Sequence, residues 1–168
     1  MKKNESKYQI NSIYCISKIL EKGENKMSAE ENKAILRYKH IDELFNKGNL
    51  SIADEIISPD YVYHGHGGLE EDKGIEGVKR LVTMFRTAFP DGHFTIDDMV
   101  AEGDKVVVRY TVTGTHKGEY MGIAPTGKKI NMKSAIFYRF AGGKQVEAWH
   151  ISDRLGMMQQ LGVVPPTG

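Results

Sequence analysis

The sequence predicts an α+β fold in which three helices, gathered toward the amino-terminal side, pack on a curved antiparallel sheet. Two observations predict it. Apolar residues recur at helical spacing in the first half of the chain, whereas the second half holds four strand-like stretches separated by short turns. Consecutive strands joined by short turns pair antiparallel, and helices that precede such a sheet pack on one face of it. A strongly curved sheet covered in this way would enclose a pocket.

Composition restricts the class of protein before any motif is considered. The chain has 168 residues and a formal net charge of +1, with 40% hydrophobic and 27% charged residues, which is typical of one globular domain. The near-zero charge argues against a nucleic-acid partner. No apolar stretch approaches the roughly 20 residues needed to span a bilayer, so no membrane partner is expected. The single cysteine, Cys15, excludes an intramolecular disulfide framework and a cysteine-cluster zinc site.

The domain boundaries follow from charge and capping. Residues 1–27 are predicted to be an extension, either disordered or a short helix, because residues 1–26 hold six lysines and little apolar periodicity. This extension lacks the cleavage site of a secretory signal, so we expect a cytoplasmic protein. The domain is predicted to span residues 28–164, followed by a tail at residues 165–168.

The helices are predicted from caps and apolar spacing. Ser28 and Glu31 form a capping box ahead of a helical pattern that ends near Gly48. A short helix at residues 51–57 stops before a proline, and residues 74–89 carry one apolar stripe. A last helical turn is predicted at residues 155–161.

The strands are predicted from β-branched and aromatic content and from turn residues between them. A first strand lies between the second and third helices, and four more follow the third. The predicted strands span residues 61–66, 94–102, 105–116, 128–140 and 145–153.

Strand alternation divides the last strand into two faces, one with Glu147, Trp149, Ile151 and Asp153 and the other with Val146, Ala148, His150 and Ser152. Which face meets the helices is left open, since a bulge could reverse the order. If Asp153 lies among the bulky apolar groups of its own face, lost hydration raises its pKa and makes it a proton-transfer group. The alternative is that Asp153 caps the helix that follows it.

Two histidines, His64 and His66, lie at i and i+2 and therefore share a face of the first strand. A pocket-lining histidine could polarise a carbonyl group, and an uninvolved histidine at a strand end is the simpler alternative. Two histidines alone are a weak metal pattern, so no metal is expected.

Further candidates for substrate binding come from the neighbouring strands. Tyr110 and His116 share one face of the strand that begins at residue 105, and Trp149 and Tyr110 could wall a pocket against water. Phe137 and Arg139 share a face of the next strand and are included as substrate-binding candidates.

Several motifs resemble the SnoaL-like polyketide (ester) cyclase family, over about residues 30–162. They are AFPD at 88–91, AEGDKV at 101–106, GTHKG at 114–118, GIAPTGK at 122–128, GKQVEAW at 143–149 and DRLGMMQQLG at 153–162. The resemblance implies a nuclear transport factor 2-like fold, a cone of curved sheet and three helices with a pocket inside. It also implies a homodimer or a homotetramer.

The resemblance further implies ring closure of a polyketide by intramolecular aldol condensation, without metal or cofactor. The acid/base aspartate of such cyclases matches Asp153 in WHISD at 149–153, and a histidine of the first strand matches His64, or His66 by the spacing. We therefore expect an acid/base enzyme that takes a hydrophobic or polyketide-like small molecule. Another proton-transfer enzyme, such as an isomerase, a dehydratase or an epoxide hydrolase, and a non-catalytic binding domain are the alternatives.

Overall fold

A computed structural model describes residues 27–65 and 73–165 of the chain. The elements are α1 (Ala29–Ala34), a π-helical segment (Ile35–Asn46), α2 (Ile52–Ile56), β1 (Ile57–His64), α3 (Gly74–Ala88), β2 (His93–Glu102), β3 (Lys105–Thr115), β4 (Lys129–Ala141), β5 (Lys144–Ser152) and α4 (Arg154–Leu161). The α+β class is confirmed. The predictions for residues 1–26 and for the last three residues lie outside the described parts.

The first helix begins as the sequence predicts. The Ser28 hydroxyl accepts a hydrogen bond from the Glu31 backbone, and the Glu31 carboxylate accepts one from the Ser28 backbone. The helix then continues as the π-helical segment, which buries Leu36, His40 and Leu44 at intervals of four residues. This stripe brings one histidine, His40, into the apolar core.

The five strands form one curved, unclosed sheet in the order β1-β5-β4-β3-β2. The pairs β2–β3, β3–β4 and β4–β5 are antiparallel, as predicted, but β1 pairs with β5 in parallel. The prediction of a wholly antiparallel sheet is therefore wrong at this edge. β1 also begins at Ile57 rather than Tyr61 and contains Pro59, which an edge strand tolerates because one side of its backbone needs no partner.

The inner face of the sheet meets the helices and forms the core. Along β3 and β4 every second side chain is buried, including Val108, Tyr110, Ile136 and Tyr138. The apolar stripe of α3 packs on this core. The predicted alternation of β3 and β4 is confirmed, since neither strand carries a bulge in their shared ladder.

The loop between β3 and β4 is held against the end of α3. The backbone amides of Lys117 and Gly118 both donate to the carbonyl of Ala88, at 2.8 and 3.1 Å. A Cβ on Gly118 would lie 2.4 Å from the Thr87 carbonyl oxygen, so only glycine permits this approach. The anchored loop brings Tyr120 and Met121 to the interior.

In the described residues, no helix combines the length and the apolar character required for crossing a membrane.

Candidate active site

A cavity of about 90 Å³ lies between the inner face of the sheet and the helices. Most of its lining is apolar and comes from α3 and the sheet, for example Val78, Phe85, Phe94 and Ile136. Ligand sites usually measure about 300 Å³ or more, so this cavity is small for a ligand site. Met121 is one flexible lining side chain that a ligand could displace.

The cavity contains a hydrogen-bonded cluster of two tyrosines and a histidine. β5 directs His150 inward, and β1 and β3 direct Tyr63 and Tyr110 toward it. The Tyr63 hydroxyl bonds with Nδ1 of His150, and the Tyr110 hydroxyl lies 3.3 Å from Nε2. Both ring nitrogens of His150 therefore contact a phenol.

Both phenols of this cluster are kept protonated. Burial raises the pKa of Tyr63 well above its ordinary value, and burial likewise raises the pKa of Tyr110 well above its ordinary value. Each hydroxyl can thus donate a hydrogen bond near neutral pH, and an incoming oxyanion would find donors already in place.

Arg154, the first residue of α4, also lines the cavity. Its guanidinium contacts the Met121 sulfur at 3.3 Å. Burial raises the pKa of both Tyr63 and Tyr120, and the charge of Arg154 offsets part of that rise. No Asp, Glu or Lys lies among the described residues that line the cavity, so Arg154 supplies a positive charge there without a carboxylate beside it in the lining.

Of the two alternatives for Asp153, the structure shows the helix cap. It precedes α4 as the N-cap, and its Oδ1 accepts a hydrogen bond from the Gly156 backbone at 2.8 Å. Its side chain is exposed and does not line the cavity. The alternative in which its carboxyl is shielded among apolar groups is wrong, because Trp149 and Ile151, which share its face of the strand, are exposed too.

His64 also lies on the outer face of the sheet. Its ring stacks on Trp149, and its Nε2 lies 2.9 Å from Oε1 of Glu147. Arg139 pairs with the other carboxylate oxygen of Glu147 at 2.8 Å. The hydrogen bond from His64 has the largest effect, and together with the one from Arg139 it holds the pKa of Glu147 below its usual range. The predicted pocket residues His64, Trp149 and Arg139 are therefore grouped together, but outside the cavity.

The remaining candidates are divided between the two faces. Tyr110 lines the cavity, whereas Phe137 is exposed on the outer face. His116 is completely buried beside Phe89, with its Nδ1 3.2 Å from the Thr126 hydroxyl, and it does not line the cavity. His66 lies outside the described residues.

The sequence reasoning missed His150, Tyr63 and Arg154 as cavity residues. Strand alternation could have identified His150, because His150 and Ser152 lie on the face of the last strand opposite Trp149 and Asp153. Both of them line the cavity. Across residues 27–65 and 73–165, no group of three or more His, Cys, Asp or Glu side chains is arranged to hold a metal ion.

The curved sheet, its helical cover and the internal cavity define a protein of the nuclear transport factor 2-like class. The family model for SnoaL-like polyketide cyclases matches residues 35–161. The chain belongs to this SnoaL-like family.

Individual relatives agree with this family. The aklanonic acid methyl ester cyclase of Streptomyces peucetius is 27% identical over 129 residues, which cover 74% of this chain and 88% of that protein. Among solved structures, a proposed polyketide cyclase of Acidithiobacillus ferrooxidans is 38% identical, with a TM-score of 0.71, and covers 82% of this chain and 99% of its own. IdmH of Streptomyces antibioticus, also a proposed polyketide cyclase, is 34% identical, with a TM-score of 0.66 and coverage of 81% and 99%.

Proposed function

We propose that this chain is a cyclase-type enzyme that closes a ring in a polyketide-like small molecule by intramolecular aldol condensation, without a cofactor. Family membership supports cyclase-type chemistry. The observation that carries the proposal is the cluster of Tyr63, His150 and Tyr110 in an otherwise apolar cavity. Holding the two ends of a flexible chain together in such a cavity lowers the entropic cost of ring closure.

The proton passes through Tyr63 and His150. The Tyr63 oxygen takes a proton from a carbon between two carbonyl groups as its own proton moves to Nδ1 of His150. The resulting enolate carbon attacks a second carbonyl carbon, and a carbon–carbon bond forms. The new alkoxide then recovers the proton from His150 through the same hydroxyl, so the protein ends the cycle unchanged.

Tyr110 and Arg154 stabilise the charge that develops during this step. The Tyr110 hydroxyl is protonated and can donate a hydrogen bond to the enolate oxygen. Burial raises the pKa of Tyr63, and the charge of Arg154 offsets part of that rise, which reduces the cost of the phenolate character that Tyr63 gains in passing on its proton. Both effects are strong here because the surrounding side chains exclude water.

Asp153 is the competing candidate for the acid/base role. The resemblance to cyclases favours it, and its neighbours Ser152 and Arg154 both line the cavity. Its exposed carboxylate already accepts a backbone hydrogen bond as the helix cap. Comparison of variants of Tyr63 and Asp153 decides between the two.

The test is deuterium exchange at the central carbon of acetylacetone, a β-diketone small enough for the cavity, followed by proton NMR in heavy water. We expect Tyr63→Phe to lower the protein-dependent rate by about 100-fold or more, and His150→Gln to do the same. Asp153→Asn should leave the rate unchanged. Tyr38→Phe is the matched control, because Tyr38 is an exposed tyrosine.

Two outcomes would contradict the proposal. Loss of exchange in Asp153→Asn, with full exchange in Tyr63→Phe, would return the acid/base role to Asp153. Binding of acetylacetone without any exchange by the wild type would indicate a binding domain. Product analysis with larger β-dicarbonyl compounds and epoxides then separates ring closure from other proton-transfer reactions.

A further inference from the structure

A second polar pair, His40 and Tyr138, lines the same cavity and takes no part in the proposed proton transfer. In the β4–β5 ladder, His150 lies opposite Ile136, and Tyr138 follows Ile136 by two residues. At about 3.4 Å per residue the two polar groups are separated by roughly 7 Å along the strand. The cavity thus has two polar positions on an apolar wall.

The hydrogen bonding of His40 is incomplete. Its side chain is only 3% exposed, and its Nε2 lies 3.1 Å from the Tyr138 hydroxyl. Its Nδ1 is buried and has no hydrogen-bond partner within the described parts of the chain. Buried polar atoms are normally paired, because an unpaired one loses hydration without compensation.

The unpaired nitrogen restricts what can bind there. Burial lowers the pKa of His40 to about 3, so the ring is neutral near neutral pH. A neutral imidazole leaves either a donor or an acceptor at the second nitrogen, according to its tautomer. A hydroxyl group satisfies both cases, since it donates and accepts. Phe45, whose ring centroid lies 4.9 Å from that of His40, makes the surroundings unfavourable for a charged group.

We propose that His40 and Tyr138 form a second polar subsite, which binds an uncharged hydroxyl group of the ligand. The ligand then carries two oxygen functions on an apolar framework, one at this subsite and one at the cluster of Tyr63, His150 and Tyr110. This inference shares one assumption with the proposed function, namely that the ligand binds in this cavity.

The test compares 4-methylphenol with toluene, two single-ring probes that differ by one hydroxyl group. Titration calorimetry measures both affinities in the wild type and in the double variant His40→Phe/Tyr138→Phe. We expect the wild type to bind 4-methylphenol more tightly than toluene. In the double variant the ratio of the two affinities should fall by about five- to tenfold. Replacing both partners by apolar rings leaves no new unpaired group, so the fold should persist.

The matched control is Tyr38→Phe/His93→Phe, which removes one exposed tyrosine and one exposed histidine away from the cavity and should keep the preference. A second measurement uses the wild type alone, where nitrogen NMR should show the His40 Nδ1 resonance shifting with 4-methylphenol and not with toluene. The proposal is overturned if the preference survives in the first double variant or is lost in the control. It is also overturned if the wild type shows no preference or binds neither probe. Failure of the exchange reaction alone would leave these affinities unchanged, so the two proposals fail separately.

Discussion

The two faces of the sheet carry opposite chemistry. On the inner face, the polar groups include the phenols of Tyr63 and Tyr110 and the imidazole of His150, embedded among apolar side chains. On the outer face they are charges in pairs, such as Arg109 with Asp97 and Arg139 with Glu147. Water screens the outer charges, whereas the inner groups act on each other in a low dielectric. This comparison supports assigning the proposed proton transfer to the cavity rather than to the charged surface.

Two neighbouring residues on β4, Ile136 and Phe137, should show the largest difference in their effect on stability. Ile136 is 6% exposed and faces inward, whereas Phe137 is 42% exposed and faces outward. We expect Ile136→Ala to lower the free energy of unfolding by about 2–5 kcal/mol, since it leaves a cavity in the core. Phe137→Ala should change it by about 1 kcal/mol or less. Urea denaturation measures both, and equal losses would contradict the division into two faces.

The outer face of the sheet carries an exposed apolar group through which copies of the chain could associate. Phe137 lies opposite Trp149 and Ala135 lies opposite Ile151, so Phe137, Trp149 and Ile151 form one exposed apolar group. The homodimer or homotetramer implied by the resemblance would bury this group. If so, Ile151→Lys should yield a monomer at concentrations where the wild type associates, as measured by sedimentation velocity. Val163→Lys is the control, because Val163 is an exposed apolar residue outside the sheet. Unchanged association in Ile151→Lys would place the interface elsewhere.

The smallest expected effect is a pH dependence of the stability that Glu147 contributes on the outer face. The hydrogen bonds from His64 and Arg139 lower the pKa of Glu147 in the folded protein below 4.5. The stabilisation is therefore fully present above pH 4.5 and is lost as the pH falls through the folded pKa. Glu147→Gln should lower stability at pH 7 by up to about 1 kcal/mol, the range of exposed ion pairs. Thermal unfolding at several pH values should show the difference between the two proteins vanishing in acid. A difference that persists at low pH would exclude the ion pair as its cause.

Local patterns in the sequence were sufficient for the inner sheet. β3 and β4 alternate regularly, so Tyr110 could be assigned to the same face as Val108 without any knowledge of the fold. The capping box at Ser28 was equally local. The SnoaL-like motifs supplied the arrangement that local patterns do not encode.

The candidate site was less predictable because it depends on which face of β5 turns inward. Trp149 and Ile151 are the bulkier apolar residues, yet the structure leaves them outside and buries Ala148. The ladder between β4 and β5 is irregular between Arg139 and Phe140, and no composition rule sets its position. The parallel pairing of β1 with β5 joins distant segments, so Tyr63 could not be placed beside His150 from spacing.

The position of β1 affects how the interior is completed during synthesis. Tyr63 and His150 are 87 positions apart, and β1 emerges from the ribosome long before the strand on which it must lie. Contacts of such separation form late, because the intervening chain has to be ordered first. A nascent or truncated polypeptide that stops before β5 has neither the neighbour that secures its first strand nor the imidazole that Tyr63 contacts. The cavity lining is therefore completed only after β5 has been made.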